Sequence, residues 1–529
     1  MAQPTMSTRS YRGWLISGVA LVAGLLVGAG FPPLNLWFLV PVGLTGFVLV
    51  SLASTTRIGL LRGFIFGFGF NILAFQWIGI LGVGVLVLFM AWLAVWYAVV
   101  GLVISATRET PAWGFAGVTA WMGAEWACSR WPAGGFGWGR LAYTAVGTPI
   151  DGLFPFIGST GVSLIIISTA VLIAFVVRPM MTSESSLRRL HPVPAAVLGG
   201  VLLVTGGAGV MGRNYDPPVD GSEITVAVVQ GNVPGVGITA LGEMYTVENN
   251  HLSETILLAA KIRTGVVDQP DFVAWPENST ATDPFIHQKT TDIIGIALDL
   301  VQVPILVGAI TLGPGENERQ TTGLWWTVDE EVTARYAKRN LVPFGEWIPL
   351  RSILEPLIED LKYVGPESIP GTGPGVLNVE VSQGSLRVGD IICFELAYDS
   401  TFDQMILGDD TTGGGGQVLV VQTSNAMFTG THQMAHQDHI TRVRAMESRR
   451  EILVATTNSL AGLVDSHGRI VYAAQMRTAD SAVFTVPQRT FITPAVAFRP
   501  WIDLGSIVLP LLAGLGLILL RSRRKNEAG

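Results

Sequence analysis

Long apolar blocks separated by short polar breaks fill the first 212 residues, and one more such block closes the chain. A helix that crosses a bilayer needs roughly 20 mainly apolar residues. Eight stretches fit, at about 13–31, 36–53, 60–80, 82–105, 112–129, 154–177, 193–211 and 502–520. Between 220 and 490 the pattern changes to short β-rich runs alternating with helical ones. Strands are predicted at 224–229, 271–275, 304–310, 323–329, 332–338, 386–393, 417–423, 451–457, 462–465 and 469–473. Helices are predicted near 240–263, 287–301 and 432–449. Strands mixed with crossover helices imply a layered α/β fold. The expected organisation is a seven-helix membrane domain over 1–212, an α/β domain over 220–490, and a last span with a basic tail over 500–529.

Composition sharpens this picture. Only 14% of the 529 residues are charged and mean hydropathy is +0.47, whereas soluble domains carry about a quarter charged residues. Part of the chain therefore belongs in lipid. Arg9, Arg12, Arg57, Arg62, Arg108, Arg178, Arg188, Arg189 and the run Arg521, Arg523, Arg524, Lys525 fall on one side if eight spans are counted. By the positive-inside rule that side is the cytoplasm, so both termini are expected there and the 220–490 domain outside. The first apolar run is long, lacks an evident small-residue cleavage site and is followed by further spans, so it is read as a retained helix and not a secretion signal. A net charge of -7 and no basic stripe argue against a nucleic-acid partner. Cys128 and Cys393 lie far apart in unlike settings, which argues against a disulfide.

Three stretches of the α/β domain carry the chemistry. Trp275-Pro276-Glu277-Asn278 supplies a carboxylate, Lys338 through Glu346 an ammonium, and Cys393-Phe394-Glu395 a thiol, each at or just past a predicted strand end. Strand ends deliver side chains into clefts from rigid backbone. A thiol becomes a nucleophile when a base takes its proton, and a cation nearby favours the anions formed on the way. Glu277 fits the base, Cys393 the nucleophile of acyl transfer through a thioester, and Lys338 the stabiliser of a tetrahedral oxyanion. Taken singly, a cysteine after two isoleucines is a common core residue, and a lysine in Arg335-Tyr336-Ala337-Lys338-Arg339 a common surface one. It is the conjunction that favours a site. Glu346 and Glu395 are expected to support it by holding Lys338.

Other motifs carry less. His432, His436 and His439 share one face of a predicted helix at a spacing zinc accepts, but without the His-Glu-x-x-His order, and a polar helix face accounts for them. Gly413 to Gly416 lack the Lys-Ser or Lys-Thr of a phosphate loop and read as a surface loop. Asn278-Ser279-Thr280 fits a glycosylation pattern but abuts Glu277, where a glycan would block the cleft. No metal or cofactor is expected.

With those residues in hand, the α/β domain resembles the nitrilase superfamily, which joins a Glu, Lys, Cys triad to an αββα sandwich. The whole chain resembles its membrane branch, the apolipoprotein N-acyltransferases. Lys338-x-x-Leu341-Val342-Pro343-Phe344-Gly345-Glu346 carries most of the match. Ala124-Glu125-Trp126, Gly135 to Tyr143, Gln230-Gly231-Asn232-Val233-Pro234, the Arg442 to Arg450 helix and Ala455-Thr456-Thr457-Asn458 add to it. The resemblance implies Glu277 as base, Lys338 as oxyanion stabiliser, Cys393 as acylated nucleophile, and Glu346 and Glu395 as supporting carboxylates. It also implies a ping-pong reaction, in which a phospholipid acylates Cys393 and the acyl group then passes to the α-amino group of a diacylglyceryl-cysteine at the apolipoprotein N-terminus. A monomer embedded in the bacterial cytoplasmic membrane is expected.

Two positions depart from the family pattern. Phe394 stands where the family often has tyrosine, and Met427 where it commonly has tryptophan. Trp275, Phe394, Met427, Arg130 and Arg140 are candidate contacts to substrate or lipid, the two arginines for lipid phosphates. The segment 351–368, with Leu354, Leu357, Ile358, Leu361 and Tyr363 at near-helical spacing, reads equally as an interfacial arm or a packed helix. The rival functions are a membrane-tethered amidase that releases its acyl group to water, and a transporter or inactive scaffold. Eight spans exceed what a tether needs, and few ionisable residues lie within them.

Overall fold

The computed structural model describes residues 6–182, 192–219, 221–235, 244–356 and 365–527. The chain divides into two units, one formed by Met1–Tyr215 with Ala497–Gly529 and the other by Asp216–Val496.

The first unit is helical. Helices lie at Met6–Gly28, Leu39–Leu52, Thr56–Ala74, Val83–Thr107, Trp113–Cys128, Phe154–Thr182, Pro192–Gly212 and Arg499–Glu527. Among the described residues five helical stretches are long and apolar enough to cross a membrane: Thr56–Ala74, Val83–Thr107, Asp151–Met180, Val193–Gly212 and Arg499–Leu520. Gly13–Gly28 and Leu39–Leu52 are shorter apolar helices. Small residues set how closely the helices approach. A methyl group on Gly63 would stand 2.3 Å from the Tyr97 carbonyl, and one on Gly101 2.4 Å from the Gly59 carbonyl, so two backbones touch along a small-xxx-small stripe. Phe47 stacks on Phe66 with ring centroids 4.1 Å apart, and Trp121 packs edge-on to both.

The second unit is a sandwich of two sheets. Its strands are β1 (Glu223–Gln230), β2 (Phe272–Ala274), β3 (Ile305–Leu312), β4 (Glu318–Trp326), β5 (Val332–Ala337), β6 (Glu367–Ser368), β7 (Val376–Val381), β8 (Gly384–Ile392), β9 (Val418–Thr423), β10 (Ile452–Thr456), β11 (Gly462–Val464), β12 (Ile470–Ala473) and β13 (Asp480–Pro487). One sheet runs β13-β1-β2-β3-β4-β5 with β6 beside β4, and the other β12-β11-β10-β9-β8-β7. Side-chain alternation separates the layers. Ile224, Val226 and Val228 of β1 meet Val388, Ile392, Val420 and Leu453 between the sheets. Ala227 and Val229 turn the other way, onto Leu258, Ile294 and Leu298 of the helices Thr246–Arg263 and Gln288–Val301. The helices Asp399–Leu407 and Gln433–Ser448 pack on the second sheet, which gives the αββα order.

β1, β2 and β3 are mutually parallel, as are β8, β9 and β10. Active residues of such sheets gather beyond the carboxyl ends of the strands. The loops after β2, β5, β8 and β9 all begin at such ends.

Candidate active site

Glu277, Lys338 and Cys393, far apart in sequence, form one cluster, in which Glu277 and Lys338 are buried. Lys338 follows β5 directly. Its backbone is held on both sides, by donating its N–H to the Thr321 carbonyl at 2.9 Å and by accepting from Gly371 N–H at 2.8 Å. Its Nζ donates to Glu277 Oε1 and to Glu346 Oε1, each at 2.8 Å, and the residue is 1% exposed. A buried ammonium between two carboxylates keeps its charge. Burial alone opposes ionisation, but Glu277, Glu346 and the Cys393 sulfur outweigh it and hold the ammonium well above the ordinary lysine value.

Glu277 sits in the loop after β2. A methyl group on Gly308 of β3 would fall 2.1 Å from the Pro276 carbonyl oxygen, so glycine lets the loop lie against the strand, and Ser279 Oγ donates to the Gly308 carbonyl at 2.9 Å. Glu277 Oε2 accepts the Ser424 backbone N–H at 2.7 Å, which ties the end of β2 to the end of β9 in the other sheet. Burial raises the Glu277 carboxyl above its ordinary value, and Lys338 pulls part of that rise back. A carboxylate with a raised pKa is a better proton acceptor than an exposed one.

Cys393 is the first residue past β8, half-buried, in the left-handed region at φ 52°. A cysteine rarely adopts this backbone, which costs on the order of 1–3 kcal/mol and concentrates at functional sites. Burial, then the nearby Glu277 carboxylate, push the thiol up to about 12, while Lys338 and a hydrogen bond with the Thr423 side chain act the other way. At neutral pH the resting sulfur is a thiol, and its proton must leave as the sulfur attacks.

The supporting carboxylates differ. Glu346 grips Lys338 and accepts the Val342 N–H at 2.7 Å, so the loop from 338 to 346 closes on itself. Glu395 instead organises backbone. It accepts the N–H groups of Ile392 at 2.9 Å, Arg339 at 2.6 Å and Asn340 at 3.2 Å, and the Tyr336 hydroxyl at 2.8 Å, which ties the cysteine turn to the lysine segment. Replacing Glu346 by glutamine is expected to slow Cys393 acylation on the order of tenfold, a barrier change of about 1.4 kcal/mol. The acid limb should also move to lower pH, because Glu346 contributes to the rise at Glu277. Single-turnover acylation across a pH series checks both.

The remaining candidates lie elsewhere. Trp275 is fully buried in the layer between the first sheet and its helices, with Nε1 donating to Thr255 Oγ1 at 3.1 Å. The alternation after β2 sends its ring to that face, so it is a core residue and not the expected substrate contact. Phe394 is 7% exposed and packs edge-on against Tyr398. Met427 lies half-buried in the turn Ala426–Phe428 next to Ser424. Arg140 is buried in the helical unit, donating to Ser159 Oγ at 2.9 Å, and Arg130 pairs with Asp503 at 2.7 Å. Both guanidinium groups thus have partners within the protein. His436 and His439 are buried in the helix Gln433–Ser448, whose preceding residue is His432. Of the 351–368 segment, Arg351–Leu354 forms one helical turn with Ile353 exposed, while 357–364 lie outside the described residues.

The sequence reading did not single out Thr423 or the Ser424 N–H as site groups. Their position immediately beyond β9, beside two other parallel strand ends, was the available signal.

A family model described as the apolipoprotein N-acyltransferase N-terminal domain matches residues 23–172. The apolipoprotein N-acyltransferase of Mycolicibacterium smegmatis is 29% identical over 526 residues, spanning 95% of this chain and 84% of that protein. That of Nitrosomonas europaea is 26% identical, spanning 97% and 99%. The chain is similar along nearly its whole length to apolipoprotein N-acyltransferases. Among solved structures, an amidase from Nesterenkonia sp. aligns with 54% of this chain and 98% of its own length, at a TM-score of 0.38 and 14% identity. Two of the segments that carry the resemblance form clamps within the α/β unit. Gln230 Nε2 donates to the Gln475 and Thr478 carbonyls at 3.0 and 2.9 Å. Arg444 donates to the Leu396 carbonyl at 2.8 Å and pairs with Asp399 and Glu447, which fixes the segment just after Cys393.

Proposed function

We propose that this protein moves a fatty acyl chain from a phospholipid to the α-amino group of the N-terminal diacylglyceryl-cysteine of apolipoproteins, by way of a Cys393 thioester. The observation that carries the reading is the Glu277, Lys338, Cys393 cluster in a chain related along nearly its whole length to apolipoprotein N-acyltransferases.

In the first half-reaction Glu277 takes the thiol proton as Sγ attacks the ester carbonyl carbon. The oxyanion forms within reach of the Lys338 ammonium, which enters the step already charged and already placed. Collapse of the intermediate breaks the ester C–O bond, and the proton on Glu277 goes to the departing lysophospholipid oxygen. In the second half-reaction the acceptor amine attacks the thioester carbon and the C–S bond breaks. Glu277 then relays a proton from the amine to the sulfur, and the thiol is restored.

The pH dependence follows from the shifts. The acylation rate rises with pH as Glu277 loses its proton, through an apparent pKa above the ordinary carboxylate range, and then stays level across neutral pH, because the thiol itself ionises only near 12. An unassisted thiol would keep gaining rate with each pH unit up to its own pKa. The pH profile of Cys393 alkylation by iodoacetamide separates the two: a plateau supports Glu277 as base, and a steady climb removes it.

The wider arrangement is part of the same proposal. Eight spans, with the membrane domain over 1–212, the catalytic domain over 220–490 outside the cytoplasm and the last span and tail over 500–529, are supported by the arginines of the connecting segments, which fall on one side apart from Arg130 and Arg140. The protein is proposed to act as a monomer in the bacterial cytoplasmic membrane. The deciding test mixes purified protein with phospholipid and a synthetic peptide bearing a diacylglyceryl-cysteine with a free amine. A gain of one acyl chain on the peptide amine supports acyl transfer; free fatty acid with unchanged peptide would replace it by hydrolysis.

A further inference from the structure

Behind the cluster, inside the layer between the two sheets, lies a carboxyl group the reaction does not use. Asp390 of β8 is 0% exposed, and neither of its side-chain oxygens has a hydrogen-bond partner among the described residues. Gln422 of β9, also 0% exposed, has the same problem at Oε1. The two groups are neighbours. A methyl group on Gly323 of β4, in the opposite sheet, would stand 1.9 Å from Asp390 Oδ2 and 3.0 Å from Gln422 Oε1. Two acceptor oxygens thus share the space left open by one glycine.

Turning the Gln422 amide over does not relieve this. Its Nε2 donates to the Trp275 carbonyl at 2.6 Å and to the Leu306 carbonyl at 3.5 Å. An inverted amide would aim oxygen at two carbonyl oxygens, so the backbone of the first sheet fixes which end of the amide faces Asp390. An amide oxygen cannot donate. The hydrogen that reconciles the two oxygens therefore has to sit on the carboxyl group. The charges around it agree. Glu395 in the turn after β8 and Glu277 after β2 are both acidic, Tyr336 of β5 is a neutral phenol, and Gly323 brings no side chain. Burial and these two carboxylates hold Asp390 well above the usual carboxylate range.

We propose that Asp390 is a neutral carboxylic acid at physiological pH that donates its proton in a hydrogen bond to Gln422 Oε1, and that this pair is a positioning device for Glu277. The chain of contacts is short. Asp390 orients the Gln422 amide, the amide holds the Trp275 carbonyl across the gap between the sheets, and Trp275 is two residues before Glu277. The same β9 strand ends at Thr423 and Ser424, which bond to Cys393 and Glu277. The Asp390–Gln422 pair thus sets the register between the strand ends that carry the base and the nucleophile. A buried acid serves here because aspartic acid is short enough to fit over Gly323 and offers a donor where the strand needs one.

The positioning role rests on the site reading above; the protonation does not. Asp390→Asn keeps the size and supplies an amide donor to Gln422, whereas Asp390→Ala removes both. Infrared spectra of the full chain at neutral pH are expected to contain a protonated-carboxyl C=O band that disappears in Asp390→Asn. Alkylation of Cys393 by iodoacetamide should stay close to the parent rate in Asp390→Asn. In Asp390→Ala it should fall on the order of tenfold, the range for lost supporting contacts, with its acid limb displaced. No difference band between parent and Asp390→Asn overturns the proposal, and so does an Asp390→Asn rate as low as that of Asp390→Ala. If the band is present while Glu277→Gln leaves the alkylation profile unchanged, the site reading fails and the positioning role with it, but the protonated pair stands.

Discussion

Purified protein incubated with phospholipid is expected to gain the mass of one fatty acyl chain, and Cys393→Ala to gain nothing. The effect should be complete, because Cys393 is the only thiol in the α/β unit and no other group in the cluster can form a thioester. Treatment with hydroxylamine should remove the added mass, since a thioester yields to it under conditions where an amide does not. Cys393→Ser is the finer probe. It keeps a nucleophile in the left-handed turn at φ 52° but asks Glu277 to accept a proton from a much weaker acid, so acylation should fall nearly as far as with alanine. A full acyl adduct on Cys393→Ala would place the nucleophile elsewhere and end the mechanism proposed above.

Lys338→Met is expected to cost both rate and stability. Loss of one charged donor to a developing oxyanion lowers rates by about 10²–10³. The stability loss is separate in origin: methionine fills the same space, but buried Glu277 and half-buried Glu346 lose their cation, and breaking a buried pair from one side costs about 3–5 kcal/mol. The sign of the pH dependence distinguishes this from simple misfolding. Without the ammonium, Glu277 loses the charge that offsets its burial, and its folded-state pKa lies further above that of the unfolded chain. The folded form is then favoured in acid and loses stability as pH rises through that raised value. Urea midpoints of the variant should therefore approach the parent on mild acidification and fall away at neutral pH. A deficit independent of pH would mean that the lysine acts through packing alone.

Much of the α/β unit was legible because its strands alternate cleanly and its turns are polar. Ten of the thirteen strands lie where the pattern predicts them. β6, at two residues, is too short to show a period. β7 and β13 lie at sheet edges; in β7 the alternation was present, with Asn378 and Glu380 facing out between Leu377, Val379 and Val381, and was passed over. The helix Asp399–Leu407 is short and mixed in character. The cluster was readable for a different reason: strand ends with unlike polar residues are rare enough to be noticed together. Trp275 misled because a tryptophan beside a reactive loop looks like a substrate contact, and only the direction of alternation after β2 shows that it faces the helices. Asp390 was invisible for the opposite reason, since an aspartate before Ile391-Ile392-Cys393 reads as a surface residue until the glycine opposite it is seen.

The helical unit is assembled from both ends of the chain. Arg499–Glu527 packs against Trp113–Cys128 and Phe154–Thr182, with Asp503 pairing to Arg130 and accepting from Thr160 Oγ1 at 2.6 Å. During synthesis, those two helices leave the ribosome with one flank uncovered, and Arg130 without its aspartate, until every residue of the second unit has been made. The last helix therefore works as a biosynthetic latch. A chain stopped short of Arg499 would carry an intact triad on an unfinished bundle, in a form that membrane quality-control proteases can recognise.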